Sequence, residues 1–184
     1  HISAYVLSHV IFDFFICLIQ AVILIIICTL FIDFPSEGII FKQSMLEYFI
    51  TLFLIIWGAD IMGIMISSVA STPNVAMTAM PFVLILQLVM SGVLFDLSGW
   101  SEKVAYITLS KWGMSALGSI GDLNNESLPL KMSQAFPQVV RLGTESAYDA
   151  TAQNLLSSWG CIGIIMLSCV IISFISLKIR NRGS

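Results

Sequence analysis

Residues 75–95 read VAMTAMPFVLILQLVMSGVLF, a run that contains no charged side chain. A helix of about 20 apolar residues can cross the hydrocarbon core of a bilayer, which is roughly 30 Å thick. That core offers no water to backbone amide and carbonyl groups, so a spanning segment must satisfy them internally, as an α-helix does. The run therefore predicts a membrane-spanning helix and an all-α membrane protein.

The composition of the chain agrees with a membrane location. Hydrophobic residues make up 58% of the 184 residues and charged residues only 10%, with a mean hydropathy of +0.96. Soluble domains carry about 25% charged residues, so this chain has too little polar surface for water. The formal net charge is −3, and the absence of a basic patch argues against nucleic acid as a partner.

Three further apolar runs have the length of a membrane span. We therefore predict four transmembrane helices, at 10–32, 46–68, 75–95 and 159–177. The intervening segments are a cytoplasmic coupling or interfacial segment at 1–9, an outer loop at 33–45, a cytoplasmic loop at 69–74, a hairpin at 96–120, an extracytoplasmic domain at 121–158 and a cytoplasmic tail at 178–184.

The basic residues of the tail give the orientation. Lys178, Arg180 and Arg182 follow the last span directly, and basic residues beside a span favour the cytoplasmic side. Four crossings then place the N-terminus in the cytoplasm as well, with the acid-rich segments 33–45 and 96–158 outside.

The segment 96–120 is predicted to enter the membrane surface without crossing it. Its later part, VAYITLSKWGMSALGSI at 104–120, is short and carries Lys111 near its middle. A lysine at the bilayer centre costs about 3 kcal/mol, and a crossing here would move the tail to the wrong side. We therefore predict a re-entrant or interfacial helical hairpin on the outer face.

The outer domain that follows the hairpin is polar. Ser146 and Asp149 have the spacing of a capping box, which predicts a short amphipathic helix near 146–156.

Cysteine and histidine give no sign of a disulfide framework, a metal site or a catalytic set. The two histidines are too few and too far apart for zinc. All four cysteines fall inside predicted spans, where small packing residues are common; they are Cys17, Cys28, Cys161 and Cys169.

Three polar side chains lie within the predicted spans. Asp13 and Gln20 are seven residues apart, hence on one helix face, and Asp60 lies deeper in the second span. A buried acid costs about 2.5–3.5 kcal/mol, so it needs a partner or a wet cavity. We expect Asp60 to be a hydrogen-bonded packing residue, and Asp13 and Asp60 to lie near opposite positions along their spans.

Several stretches together resemble a known family. They are SAYVLSHVIFDF at 3–14, SGVLFDLSGW at 91–100 and YITLSKWGMSAL at 106–117, with two spans joined by a short loop and a final span. This pattern resembles the membrane domain of ABC-2-type exporters, particularly the G-subfamily (white, sterol and multidrug half-transporters) and its bacterial relatives.

The resemblance implies a function and partners. The chain is then the permease part of an ATP-driven exporter in a bacterial inner or plasma membrane, moving a hydrophobic or amphipathic substrate outward by alternating access. Its four spans correspond to the third to sixth of the family, with two more spans upstream of His1. ATP and Mg²⁺ bind to a partner ATPase domain and this chain holds no cofactor, while a second membrane domain completes a homo- or heterodimer.

The resemblance also implies site residues. These are Ile85, Gln87, Leu88 and Ser91 at the translocation cavity, Val93 and Leu94 at an outer valve, and Ser3, Ala4 and Tyr5 at the contact with the ATPase.

Two other classes of protein stay open. One is a secondary transporter or channel subunit with Asp60 as its coupling residue. The other is an intramembrane enzyme that uses Asp13 and Asp60, although no paired motif supports it.

Overall fold

The computed structural model describes residues 2–31, 34, 38–92, 99–124 and 146–180, with the side chains of residues 2–6 and 180 excepted. These residues form six α-helices and a 3₁₀ turn at Ser146–Tyr148, and no strand occurs among them. The all-α prediction is confirmed for this part of the chain. The helices are α1 (Ile2–Phe31), α2 (Ser44–Val69), α3 (Pro73–Val89), α4 (Trp100–Ala105), α5 (Leu109–Ile120) and α6 (Ala152–Arg180).

Three of the helices in the described ranges are long and apolar enough to cross a membrane. They contain Leu7–Phe31, Ser44–Val69 and Ala152–Ile179, with 25, 26 and 28 residues. These helices correspond to the first, second and fourth predicted spans. Their outer faces carry many exposed apolar side chains, Phe12 and Leu30 among them, as expected of helices in contact with lipid.

The third predicted span, 75–95, is represented by α3, which is shorter. The Thr72 hydroxyl accepts a hydrogen bond from the Val75 N–H at 3.4 Å and Pro73 occupies the first turn, so the helix begins early. It ends at Val89, and Gly92 has φ +81°, a conformation that favours glycine and ends helices. At 17 residues, α3 is about 26 Å long.

The start of α6 also differs from the prediction. The prediction of a short separate helix near 146–156 is wrong, because the chain makes a 3₁₀ turn at Ser146–Tyr148 and then begins α6 at Ala152. The Thr151 hydroxyl, rather than that of Ser146, accepts a hydrogen bond from an amide of the first turn, the Asn154 N–H at 3.3 Å. The predicted span 159–177 is therefore the later part of one 29-residue helix.

Helix α2 lies at the centre of the fold and packs against α6, α1 and α5. A buried cluster joins α2, α5 and α6 through Ile61, Leu109 and Ile162. Between α1 and α2, the Phe14 ring meets the Trp57 ring edge to face at 5.0 Å between centroids.

Helices α4 and α5 occupy the region of the predicted hairpin. Helix α5 packs against both α2 and α6, and most of its residues are buried. Its small residues permit this close approach: a Cβ placed on Gly113 would lie 2.9 Å from Cδ1 of Ile55 on α2. The packing of α5 therefore depends on the small side chains that the sequence shows between 110 and 118.

Candidate functional site

A cavity of about 570 Å³ lies between α1, α2, α3 and the start of α5, and we call it the four-helix cavity. Most of its wall is apolar, from residues such as Ile55, Met62 and Met80. Its polar side chains come from all four helices: Asp13, Cys17 and Gln20 from α1, Asp60 from α2, Gln87 from α3 and Ser110 from α5.

The two acids of the predicted spans meet in this cavity. Both carboxyl groups line it, close enough to interact electrostatically, and the Cys17 thiol lies 3.8 Å from Oδ2 of Asp60. The expectation that Asp13 and Asp60 lie at opposite positions is therefore wrong. Helices α1 and α2 are antiparallel, so positions along them must be counted from opposite ends.

When residues are counted from the two helix ends that lie on the same side, Asp13 and Asp60 have similar depths. At 1.5 Å per residue, Asp13 is about 17 Å from Ile2, where α1 begins. By the same rise, Asp60 is about 14 Å from Val69, where α2 ends. Two carboxylates that line one cavity and interact electrostatically repel each other unless one of them is protonated or a cation lies beside them.

Gln87 joins α3 to α5 at the wall of the cavity. Its Oε1 accepts hydrogen bonds from the Ser110 N–H at 2.9 Å and from the Ser110 hydroxyl at 2.8 Å. The same hydroxyl also donates to the backbone carbonyl of Gln87. Because Ser110 is in the first turn of α5, where amides lack helical partners, Gln87 acts as a cap from another helix.

A second, more polar cavity of about 500 Å³ lies beside α4, α5 and the 3₁₀ turn. Lys111, the residue that argued against a crossing, points here and its Nζ lies 4.9 Å from the centroid of the Tyr106 ring. Lys111 therefore has a polar cavity and an aromatic face as its surroundings. Ser91 lines this polar cavity and not the four-helix cavity.

The family model described as ABC-2 type transporter matches residues 1–120. The chain belongs to this family. A comparison with curated proteins found no similar sequence. The matched range contains α1 to α5 and hence every residue that lines the four-helix cavity.

Family membership establishes the general class of the protein. An ABC-2 membrane domain is a permease component of an ABC transporter, it is not itself catalytic, and such domains generally pair with an ATPase domain. The predicted resemblance to ABC-2 membrane domains is confirmed at this level. Assignment to the G-subfamily and to its third to sixth spans stays a prediction.

The residues predicted for the translocation cavity of the ABC-2 permease do not lie on one face of α3. Gln87 faces the four-helix cavity, whereas Ile85 and Leu88 are 58% and 57% exposed on the other side of the helix. Neighbouring residues of a helix are 100° apart, so positions 85 and 87 point in nearly opposite directions. A lining role for Ile85 and Leu88 would require a cavity that α3 forms with another membrane domain.

The other predicted sites are only partly described. Gln20 lines the four-helix cavity together with Asp13 and Asp60. Ser3, Ala4 and Tyr5 lie in the first turns of α1. Val93 and Leu94 lie outside the described residues.

One buried acid was not singled out from the sequence. Glu47 is completely buried, and its carboxylate accepts hydrogen bonds from the N–H groups of Ile39, Ile40 and Phe41 at 3.0, 2.5 and 2.7 Å. The carboxylate thereby fixes the chain that leads into α2. The available signal was the pair Ser44 and Glu47, whose spacing is that of a capping box.

A polar network between α5 and α6 was also missed. The Asn154 side-chain amide donates to Oγ of Ser119 at 2.9 Å and to the carbonyl of Ala147 at 2.8 Å. Ser115 donates to the same carbonyl at 2.7 Å. The sequence shows these polar residues but not which helices they join.

Proposed function

We propose that this chain is the permease part of an ATP-driven exporter, which moves a hydrophobic or amphipathic substrate outward by alternating access. ATP and Mg²⁺ bind to a partner ATPase domain, and this chain carries no cofactor. The observation that carries the proposal is the ABC-2 match over residues 1–120, which coincides with the helices that enclose the four-helix cavity. The resemblance to the G-subfamily supports the outward direction.

The proposed topology has four crossings, with α3 as the third. The length of α3, about 26 Å, is about 4 Å below the thickness of the hydrocarbon core, a difference that bilayers accommodate by local thinning. Its side away from the protein is strongly apolar, with Met77 and Phe82 74% and 70% exposed. Such a face is stable against lipid or a partner helix and unfavourable in water.

The proposed orientation follows from this topology. Lys178 lies in the last turn of α6, and the basic tail places both termini in the cytoplasm. The segment 121–158 is then extracytoplasmic, and the membrane is a bacterial inner or plasma membrane.

The proposed assembly is a dimer of membrane domains, identical or different, each with two further spans. The exposed face of α3, with Phe82, Ile85 and Leu88, meets the partner domain, and Val93 and Leu94 follow as the outer valve. Apolar side chains that meet on such an axis exclude water until the helices part. The segment around Ser3, Ala4 and Tyr5 contacts the ATPase.

The test is to isolate the full-length protein from native membranes with its associated proteins. We expect an ATPase domain, on the same chain or on a partner, and accumulation of an apolar dye in inside-out vesicles only with Mg²⁺ and ATP. Replacing the catalytic glutamate of the ATPase should abolish accumulation. Accumulation driven by a proton gradient without ATP would contradict the proposal and favour a secondary transporter.

The topology has its own test, a set of single cysteines in a variant without the native four. A membrane-impermeant maleimide added to intact cells should label position 130 and leave position 182 unlabelled. Labelling of position 182 alone would refute the proposed orientation.

A further inference from the structure

We infer that the four-helix cavity binds lipophilic organic cations, that is, molecules with an apolar body and a single positive charge. This inference rests on the proposed function, because it names the substrate class of the permease. It combines the size of the cavity, its apolar wall and the carboxyl pair of Asp13 and Asp60.

The dimensions of the cavity fit a small organic molecule. Its volume of about 570 Å³ is within the range of about 300–1,000 Å³ that is typical of ligand sites. Much of its wall consists of long apolar side chains, including Met62 and Met80. Methionine side chains are flexible and polarizable, so this wall can adapt to apolar bodies of different shape.

The charge of the cavity selects for cations. Asp13 and Asp60 are the charged residues in its described lining, which contains no lysine, arginine or histidine. His9 lies one turn before Asp13 on α1 but does not line the cavity. A cationic group beside the pair relieves the repulsion of the two carboxylates, whereas an anion would increase it.

The donor set favours an organic cation over a metal ion. Within the described ranges, no group of three or more His, Cys, Asp or Glu side chains could hold a metal. Calcium takes six to eight oxygen ligands, far more than the carboxyl pair supplies. An ammonium or phosphonium group needs only opposite charge and an apolar surface for its substituents.

The location of the carboxyl pair suits an amphipathic ligand. The pair lies about 14–17 Å from the nearer helix ends, which are Val69 for Asp60 and Ile2 for Asp13. Apolar residues surround it on α1 and α2, with Ile16 and Ile56 in the wall of the cavity. A strongly hydrated ion gains little there, whereas a cation with apolar substituents gains from both the wall and the charge.

The test measures equilibrium binding of radiolabelled tetraphenylphosphonium to the complete transporter, purified in detergent without ATP. We expect saturable binding of the cation, and no saturable binding of radiolabelled tetraphenylborate, an anion of the same shape, when it is added alone in a separate sample. Asp13→Asn and Asp60→Asn should each weaken binding about 10- to 100-fold, since each removes one charged partner. Asp60→Glu, which keeps the charge, should bind within a few-fold of the wild type.

Two further variants separate the effect of the carboxylate charge on binding from the effect of the cavity volume. Gly63→Leu should abolish binding by filling the cavity, and a Cβ at Gly63 has room because its nearest neighbour, Cε of Met80, is 3.5 Å away. Asp122→Asn is the matched control and should not change binding. It removes one charge outside the cavity, at φ +48°, where asparagine is also tolerated.

Several results would overturn the inference. These are the absence of saturable binding of the cation, saturable binding of tetraphenylborate alone that is as tight as that of the cation, and unchanged binding in both aspartate variants. If Asp60→Asn fails to elute as a single species, Asp13→Asn and the anion comparison decide the question. Binding is measured without ATP, so the two proposals can fail separately. If the cation does not bind but Mg²⁺ and ATP still drive transport, only the cation site is refuted. If no ATPase domain is found, the proposed function is refuted.

Discussion

Replacing Glu47 should destabilise the protein more than replacing any exposed acid. In Glu47→Ala, the amides of residues 39–41 lose a carboxylate that lies 2.5–3.0 Å away. A hydrogen bond to a charged group contributes about 1.5–3 kcal/mol. Ile40 and Phe41 are 36% and 37% exposed, so water replaces part of this loss. We expect a destabilisation of about 3–4 kcal/mol, and about 2 kcal/mol for Glu47→Gln, which keeps one acceptor oxygen.

The assay for this prediction uses the native thiols. Cys17 and Cys169 are only 2% and 6% exposed, so a thiol-reactive fluorophore reports unfolding as the purified protein is heated. One kcal/mol corresponds to about 2–4 °C for a domain of 150–250 residues. Glu47→Ala should therefore lower the midpoint by about 6–16 °C, and Glu47→Gln by about half as much.

The control is Glu102→Gln, which makes the same change as Glu47→Gln but at an exposed position on α4. Its midpoint should stay within about 2 °C of the wild type, as most surface replacements do. The reasoning is refuted if Glu47→Ala shifts the midpoint no more than Glu102→Gln does.

Three further replacements test contacts between helices, and the same thermal assay measures each. Gln87→Leu removes the side-chain acceptor of Ser110 on α5 and should cost about 2 kcal/mol; no change would show that α3 and α5 are held together by other contacts. Trp159→Phe removes the indole N–H that donates to Oγ1 of Thr51 at 2.9 Å, and should cost about 1–2 kcal/mol. Gly113→Leu should cost about 3 kcal/mol or more by overpacking, with a smaller loss for Gly113→Ala, and equal stability of the two would contradict the close packing.

The long helices could be predicted from the sequence because each is an apolar run. The length and hydropathy of each apolar run were enough to predict the central parts of α1, α2 and α6. Helix α3 is shorter than the predicted span because the apolar run continues past Val89, where the helix ends. Gly92 follows three residues later with a positive φ, which a continuing α-helix does not permit and which hydropathy does not reveal.

The candidate site was harder to predict because it depends on which helix faces meet. The sequence identified Asp13, Gln20, Asp60 and Gln87 as polar residues in apolar surroundings, and all four line the four-helix cavity. Their contacts were not predicted, because a pattern along one helix does not give its register against the next. The antiparallel arrangement of α1 and α2 could have been used to compare depths, since it follows from the predicted topology.

A double-mutant cycle on Asp13 and Asp60 tests the contact on which the site depends. Because the two carboxyl groups line the same cavity and interact electrostatically, replacing one with Asn changes what replacing the other can do. Either single replacement removes the repulsion of the pair and provides an amide donor, so the second replacement has no repulsion left to relieve. We expect a coupling energy of about 1 kcal/mol or more in thermal unfolding at pH 7.5, within the range of residues in contact. Additivity within about 0.3–0.5 kcal/mol, the behaviour of distant sites, would mean that the acids do not meet, and the four-helix cavity would then lose the charge pair that makes it a cation site.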